Sequence, residues 1–350
     1  MVRPPTKDNV PAFVPRPALA GGHKMTIFSW GNPRYFPGLP APVQRYFDVD
    51  ADSRVLAACH WQPRPWEHPT LLALHGLNGS SDAHYMRGLA AKAFDRGLNV
   101  VRLNQRNCGD TEHLAGGLFH SGLTADAAHV LHELADLDGL SAVVVAGYSL
   151  GGNLALKLAA EYGNHAPPAL KAVAAVSPII EIGRCVRALE SPSNRLYQWN
   201  FVKDLKRRMR RKNCVRPGRF DLTPLASVRT VREFDETFTA PHFGFRSAED
   251  YYHRASSLRI IDRVAVPTLI IAAKDDPFVP PESFQDPRLT ANPNIDLRLS
   301  EHGGHCGFVG PSAPGDDGYW AEKQIVHFAE QWTAAPATGE VVMHAAVVTR

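Results

Sequence analysis

The chain has 350 residues, 44% of them hydrophobic and 21% charged, enough apolar material to bury a sizeable core in one large or two medium domains. A net charge of +3 gives no basis for charge-driven nucleic-acid binding, so no nucleic-acid partner is expected. Five widely spaced cysteines with no CxxC pair argue against a zinc site or a disulfide framework, and for a reducing, cytoplasmic compartment.

Residues 1–45 are rich in proline and glycine and read as an extended, irregular arm. Their opening stretch has no long apolar run, so no secretory leader is expected, and nowhere is there an apolar stretch long enough to span a membrane. Residues 46–60 hold two apolar runs around Asp50-Ala51-Asp52, a hairpin pattern. Short apolar strands are then expected at 71–74, 99–103, 141–146, 172–176, 268–272 and 295–299. Helices are expected at 85–96, 124–137, 153–161 and 319–332; the second repeats apolar residues at Ala127, Val130, Leu131 and Leu134. Strands that are apolar on both faces, alternating with helices, predict a mostly parallel central sheet covered on both sides. The alternation stops between about 180 and 263, which looks helical throughout. The division expected is an arm at 1–45, a core at 46–180 and 264–333, a helical cap at 181–263, and a flexible tail at 334–350.

One motif stands above the rest. Gly147-Tyr148-Ser149-Leu150-Gly151 follows an apolar strand directly and opens a helix. A nucleophilic serine needs a tight strand-to-helix turn, and the flanking glycines let neighbouring backbone approach it. The Leu150 N–H, at the helix start, would face a developing oxyanion. A bare GxSxG occurs by chance, so the context carries the reading. After the strand at 71–74 comes His75-Gly76-Leu77, where Leu77 N–H is expected as the second oxyanion donor and His75 as a brace of the loop or a rival base.

Past the strand at 268–272 stand Asp275 and Asp276, just before Pro277. Asp276 is the expected partner of a histidine, with Asp275 as competitor. His305 lies in a glycine-rich loop after the last strand and is the expected general base; His302 is its rival. Their HxxH spacing invites a metal, but a third ligand is not evident, and neither metal nor cofactor is expected. The order Ser149, Asp276, His305 is that of the α/β-hydrolase fold.

Taken together the motifs resemble the YheT-type α/β-hydrolases over residues 12–332. The resemblance runs through Phe13-Val14-Pro15 with Gly22-His23 and Thr26, the LHGLNG stretch at 74–79 with Ser80, Ser81 and Tyr85, Asn104-Gln105-Arg106-Asn107-Cys108-Gly109, Phe119-His120-Ser121-Gly122, Asn194-Arg195-Leu196-Tyr197 and Asp250-Tyr251-Tyr252. Asn107 and Phe119 depart from residues common in the family. The resemblance implies an esterase- or lipase-like serine hydrolase acting on carboxylic esters without a cofactor, with Ser149, Asp276 and His305 as its triad. It also implies that the membrane anchor of some eukaryotic relatives is missing. Acyl transfer and thioester cleavage would use the same triad, and a non-catalytic binding protein on this scaffold is the alternative of another class.

In the cap, the stretch 203–212 (KDLKRRMRRK) is strongly basic, with Val202, Leu205 and Met209 at helical spacing. It reads as a solvated polar face over a packed cap, or as a patch for peripheral contact with an anionic membrane surface. Nothing in the sequence speaks to the oligomeric state.

Overall fold

The structure, a computed structural model, describes residues 12–334; residues 1–11 and nearly all of the expected tail, 335–350, lie outside it. Its strands are β1 (Val43–Asp50), β2 (Ser53–His60), β3 (Thr70–Leu74), β4 (Asn99–Leu103), β5 (Val143–Tyr148), β6 (Leu170–Val176), β7 (Thr268–Ala273) and β8 (Ile295–Ser300). They form one sheet in the order β1-β2-β4-β3-β5-β6-β7-β8. From β4 to β8 every pairing is parallel. The β1–β2 hairpin adds an antiparallel edge through β2 against β4.

The helices are α1 (Gly22–Gly31), α2 (His84–Asp95), α3 (Thr124–Asp136), α4 (Leu150–Tyr162), α5 (Ile182–Leu189), α6 (Arg195–Val215), α7 (Val231–Phe234), α8 (Ala240–His242), α9 (Ala248–Ala255), α10 (Pro287–Thr290) and α11 (Trp320–Thr333). The two-residue side-chain period splits the sheet between two cores. Leu71 and Ala73 of β3 pack with Met86 and Leu89 of α2 and Ile325 of α11. Leu72 and Leu74 face the other way, toward Val130 of α3 and Leu154 of α4. Both faces are therefore covered, which is why β3, β5 and β7 read as largely apolar runs, whereas β4 carries the buried Asn99 and Arg102 among its apolar residues.

Between β6 and β7 the chain leaves the sheet and makes α5 to α9, with a π-helical turn over Asp235–Thr239 joining α7 to α8. The described residues of this excursion contain no strand, as the broken alternation predicts. Thr230 and Glu233 close a capping box at the start of α7.

The arm departs from the expectation of an irregular segment. It contains α1, which buries Met25, Thr26 and Ser29 against the glycine-rich loop that follows β8. Ending on glycines and burying a single polar-tinged stripe, α1 carries almost no amphipathic signal. Beyond it, Arg34 makes two bonds to Glu322 of α11, at 2.5 and 2.7 Å, and one to Asp317 at 2.8 Å. Lys92 joins the same acids. Both Arg34 and Glu322 are buried, and each keeps a second opposite charge, Asp317 for Arg34 and Lys92 for Glu322, so the four groups form a network that ties the arm to α2 and α11.

The basic stretch in α6 is not one solvated face. Lys212 is fully buried and donates to the carbonyls of Glu112 and Ala115. Arg211 pairs with Asp110 and Glu112. Arg208 turns into the cavity described below. Outward, α6 presents Leu196, Trp199, Lys203, Arg207 and Arg210, spaced by three and four residues and so on one stripe.

Candidate active site

Parallel strands end at one edge of the sheet, and the loops leaving that edge meet there. Ser149 sits between β5 and α4 with φ 53° and ψ −113°, a conformation that non-glycine residues seldom hold. Close packing enforces it. A Cβ on Gly147 would lie 2.0 Å from Gly151 O, and one on Gly151 would lie 2.3 Å from Leu74 O. The serine N–H donates to Val176 O at 2.8 Å, which fixes the turn to β6.

The loop after β3 approaches from the side. Gly76 N–H donates to the Tyr85 hydroxyl at 3.0 Å, whereas Leu77 N–H has no partner among the described residues. Leu150 opens α4, so its N–H precedes the helical ladder. His75 is fully buried with Nδ1 2.8 Å from Gly76 O, and its Nε2 accepts from Gln105 N at 3.1 Å. Burial lowers its pKa to about 4, so the ring is a neutral brace of the loop.

His305 Nε2 lies 2.9 Å from Ser149 Oγ. Its Nδ1 lies 2.9 Å from Asp276 Oδ2 and 3.2 Å from Oδ1. Asp276 Oδ1 accepts from Phe278 N at 2.8 Å and Val279 N at 3.1 Å, which orients the carboxylate. The two aspartates divide between the two histidines: Asp275 bonds His302 at 3.1 Å and Gly304 N at 2.9 Å. Burial works against the His305 imidazolium, but the charge and hydrogen bond of Asp276, with a contribution from Cys306, outweigh it and hold the pKa above the ordinary value of 6.5. A neutral imidazole so placed can take the hydroxyl proton, and the carboxylate can stabilise the imidazolium that results.

An apolar cavity opens beside Ser149 and His305, walled by Leu77 and Phe119 from the core and by Val186, Phe201, Leu205 and Phe234 from the cap. His120 lies in its wall with a pKa lowered to about 3, chiefly by burial.

Known proteins share the fold of this chain. A family model described as the alpha/beta hydrolase fold matches residues 69–310. YheT of Escherichia coli strain K12, provisionally named as an esterase, is 37% identical over 303 residues, 85% of this chain and 87% of that one.

The chain belongs to the YheT-type α/β-hydrolases.

A mouse relative of this hydrolase, named phospholipase ABHD3, is 31% identical over 242 residues; the match takes 69% of this chain but only 58% of the mouse protein. Among solved structures, the Pyrococcus furiosus esterase Pf2001 superposes with a TM-score of 0.56 at 16% identity, covering 86% of this chain and 97% of that one, a likeness of fold. No helix among the described residues of the hydrolase is long and apolar enough to cross a membrane.

Three contributors to the site were not singled out as such from the sequence. Thr26 of α1 accepts from His305 N at 2.8 Å through Oγ1, and its own hydroxyl donates to Gly22 O at 2.6 Å. Ser177 accepts from Cys306 N at 3.0 Å and steadies the same loop. Tyr85 holds the loop that carries Leu77. Tyr85 and Thr26 both belong to the family resemblance, though without these roles, whereas Ser177 acts through a single hydroxyl that no spacing marks.

Proposed function

We propose that this hydrolase cleaves carboxylic esters by two acyl transfers through an acyl-serine intermediate. Ser149 is the nucleophile, His305 the general base and then acid, and Asp276 the group that fixes the imidazole tautomer. Leu77 and Leu150 N–H groups receive the oxyanion. The observation that carries this reading is the unbroken bond chain from Ser149 Oγ through His305 to Asp276, at the mouth of an apolar cavity. No metal or cofactor enters the proposed steps.

The apolar walls support short- to medium-chain or lipid-like acyl groups as substrates. Each methylene taken from water into such a cavity contributes about 0.8 kcal/mol, roughly a fourfold gain in affinity. The stretch 181–263 acts as the cap that selects the substrate, since α5, α6 and α7 supply much of the wall. The test is fluorophosphonate labelling of the wild type beside Ser149→Ala, with hydrolysis of p-nitrophenyl esters from acetate to palmitate. Labelling lost in the variant, with turnover peaking at one chain length, supports the proposal. A folded wild type that neither labels nor turns over would refute it.

A second proposal concerns where the substrate is met. The outward stripe of α6 joins exposed Leu196 and Trp199 to Lys203, Arg207 and Arg210, with Lys203 Nζ 5.0 Å from the centre of the Trp199 ring. Apolar side chains among basic ones suit peripheral contact with an anionic membrane surface.

A further inference from the structure

The cavity wall is apolar except at a few points, and one of them is a cation. Arg208 lies one residue before Met209 on the face of α6 that also presents Phe201 and Leu205 to the cavity. Its guanidinium carbon sits 5.3 Å from the centre of the Phe119 ring. Its Nη1 is shielded from solvent and has no hydrogen-bond partner among the described residues. Other arginines on the helix behave differently: Arg207 pairs with Asp204, and Arg211 with Asp110 and Glu112.

The cavity holds no group that answers this charge. Asp235 is the carboxyl of the cap that reaches the wall, and it is committed to the hydroxyls of Thr239 at 2.7 Å and Tyr252 at 2.8 Å. Asn107 Oδ1 is also without a partner, but a neutral oxygen leaves the charge uncompensated. A buried donor left unsatisfied is unfavourable, and more so on a cation. A guanidinium offers a planar fork of donors that matches the oxygens of a carboxylate or a phosphate.

We propose that Arg208 is an anion-recognising subsite of the substrate cavity, so that the preferred ester carries a carboxylate or phosphate group on the part that fills the cavity. The proposal rests on the ester-hydrolase reading for its kinetic test. The apolar wall takes the chain, Phe119 holds the guanidinium plane, and Arg208 reads the anionic end. Arg208 is a specificity residue here, removed from the proton transfers at Ser149.

The test compares p-nitrophenyl alkanoates with mono-p-nitrophenyl esters of dicarboxylic acids from succinate to sebacate, using wild type, Arg208→Gln and Arg208→Lys. The quantity read is the ratio of kcat/KM for the acid-tailed ester to that for the neutral ester of equal length. The wild type is expected to favour the acid-tailed ester at least tenfold at one chain length. Arg208→Gln should abolish that preference, and Arg208→Lys should keep part of it. A ratio unchanged in Arg208→Gln overturns the proposal, as does a wild type that favours neutral esters at every length. Thermal protection by hexyl phosphate, hexanoate and hexanol reads the subsite without turnover. Stronger protection by either anion than by the alcohol, lost in Arg208→Gln, supports the subsite, and the better anion identifies its source. Equal protection by all three argues against it. If no ester is turned over while the anions still protect, the ester-hydrolase reading fails and the subsite stands. Arg208→Lys serves if Arg208→Gln does not fold.

Discussion

The substitution Asp276→Asn tests the site at its least exchangeable atom. Asp276 Oδ1 accepts two backbone N–H groups, from Phe278 and Val279. An asparagine in its place must put its carbonyl oxygen there, because an NH2 group facing two donors would leave both backbone N–H groups without an acceptor. Its NH2 is then forced into the position of Oδ2, which faces His305 Nδ1 at 2.9 Å. Nδ1 must become the acceptor, the ring proton moves to Nε2, and Nε2 points that proton at Ser149 Oγ. A base in that tautomer cannot take the hydroxyl proton. The expected loss in kcat is of the order of 10⁴-fold, equivalent to about 5.5 kcal/mol of transition-state stabilisation. The assay is p-nitrophenyl ester hydrolysis across pH, normalised by circular dichroism to folded protein. In the wild type, protonated His305 is inactive, so kcat/KM rises with pH and levels off; because Asp276 raises the His305 pKa, the half-rise lies above 6.5. Removing the negative charge leaves burial as the main influence and moves the half-rise down. Asp275→Asn, which alters the His302 pair, serves as the control. If Asp276→Asn kept its rate within tenfold, or if Asp275→Asn were the variant that lost activity, the assignment would be wrong.

Ser149→Gly and Ser149→Ala should both lose turnover, but they should differ in stability. Glycine accepts φ 53° where alanine does not, so Ser149→Gly should be more stable by about 1 kcal/mol, read as a higher melting temperature. Equal melting temperatures would mean that the elbow stores no strain. Thr26→Val removes the acceptor of His305 N and should cost about 1–3 kcal/mol of stability, while shifting the pH at half-maximal kcat/KM; an unchanged pH profile would reduce Thr26 to a packing residue. Replacing Lys203, Arg207 and Arg210 of the α6 stripe by Glu should weaken sedimentation with phosphatidylserine vesicles at low salt, with a smaller difference at high salt. Equal binding by both proteins would remove the membrane proposal.

The parts of this hydrolase legible in its sequence are those where one physical demand acts on many residues at once. The strands β3, β5 and β7 are buried on both faces, so nearly every position after the first is apolar and the run announces itself. The Ser149 elbow needs small residues on both sides for steric reasons, and the same glycines that a Cβ would push into Gly151 O and Leu74 O are visible as a motif. Where the demand falls on a single atom, the sequence is silent. Ser177 gives one oxygen to the His305 loop from a distant part of the chain, and any serine looks the same. The helix α6 falls between these cases. Val202, Leu205 and Met209 mark its buried face, but a helix turns about 100° per residue, so Arg208 beside Met209 falls at the margin of that face. Periodicity alone assigns a residue at that margin to water or to the interior with equal ease. The packing of α6 over Phe119 decides it, bringing the charge inside with its Nη1 unpartnered. A run of basic residues that looks like a single solvated surface thus divides among an outward stripe, a buried strut at Lys212 and a cation in the cavity, and these three parts should respond differently to mutation.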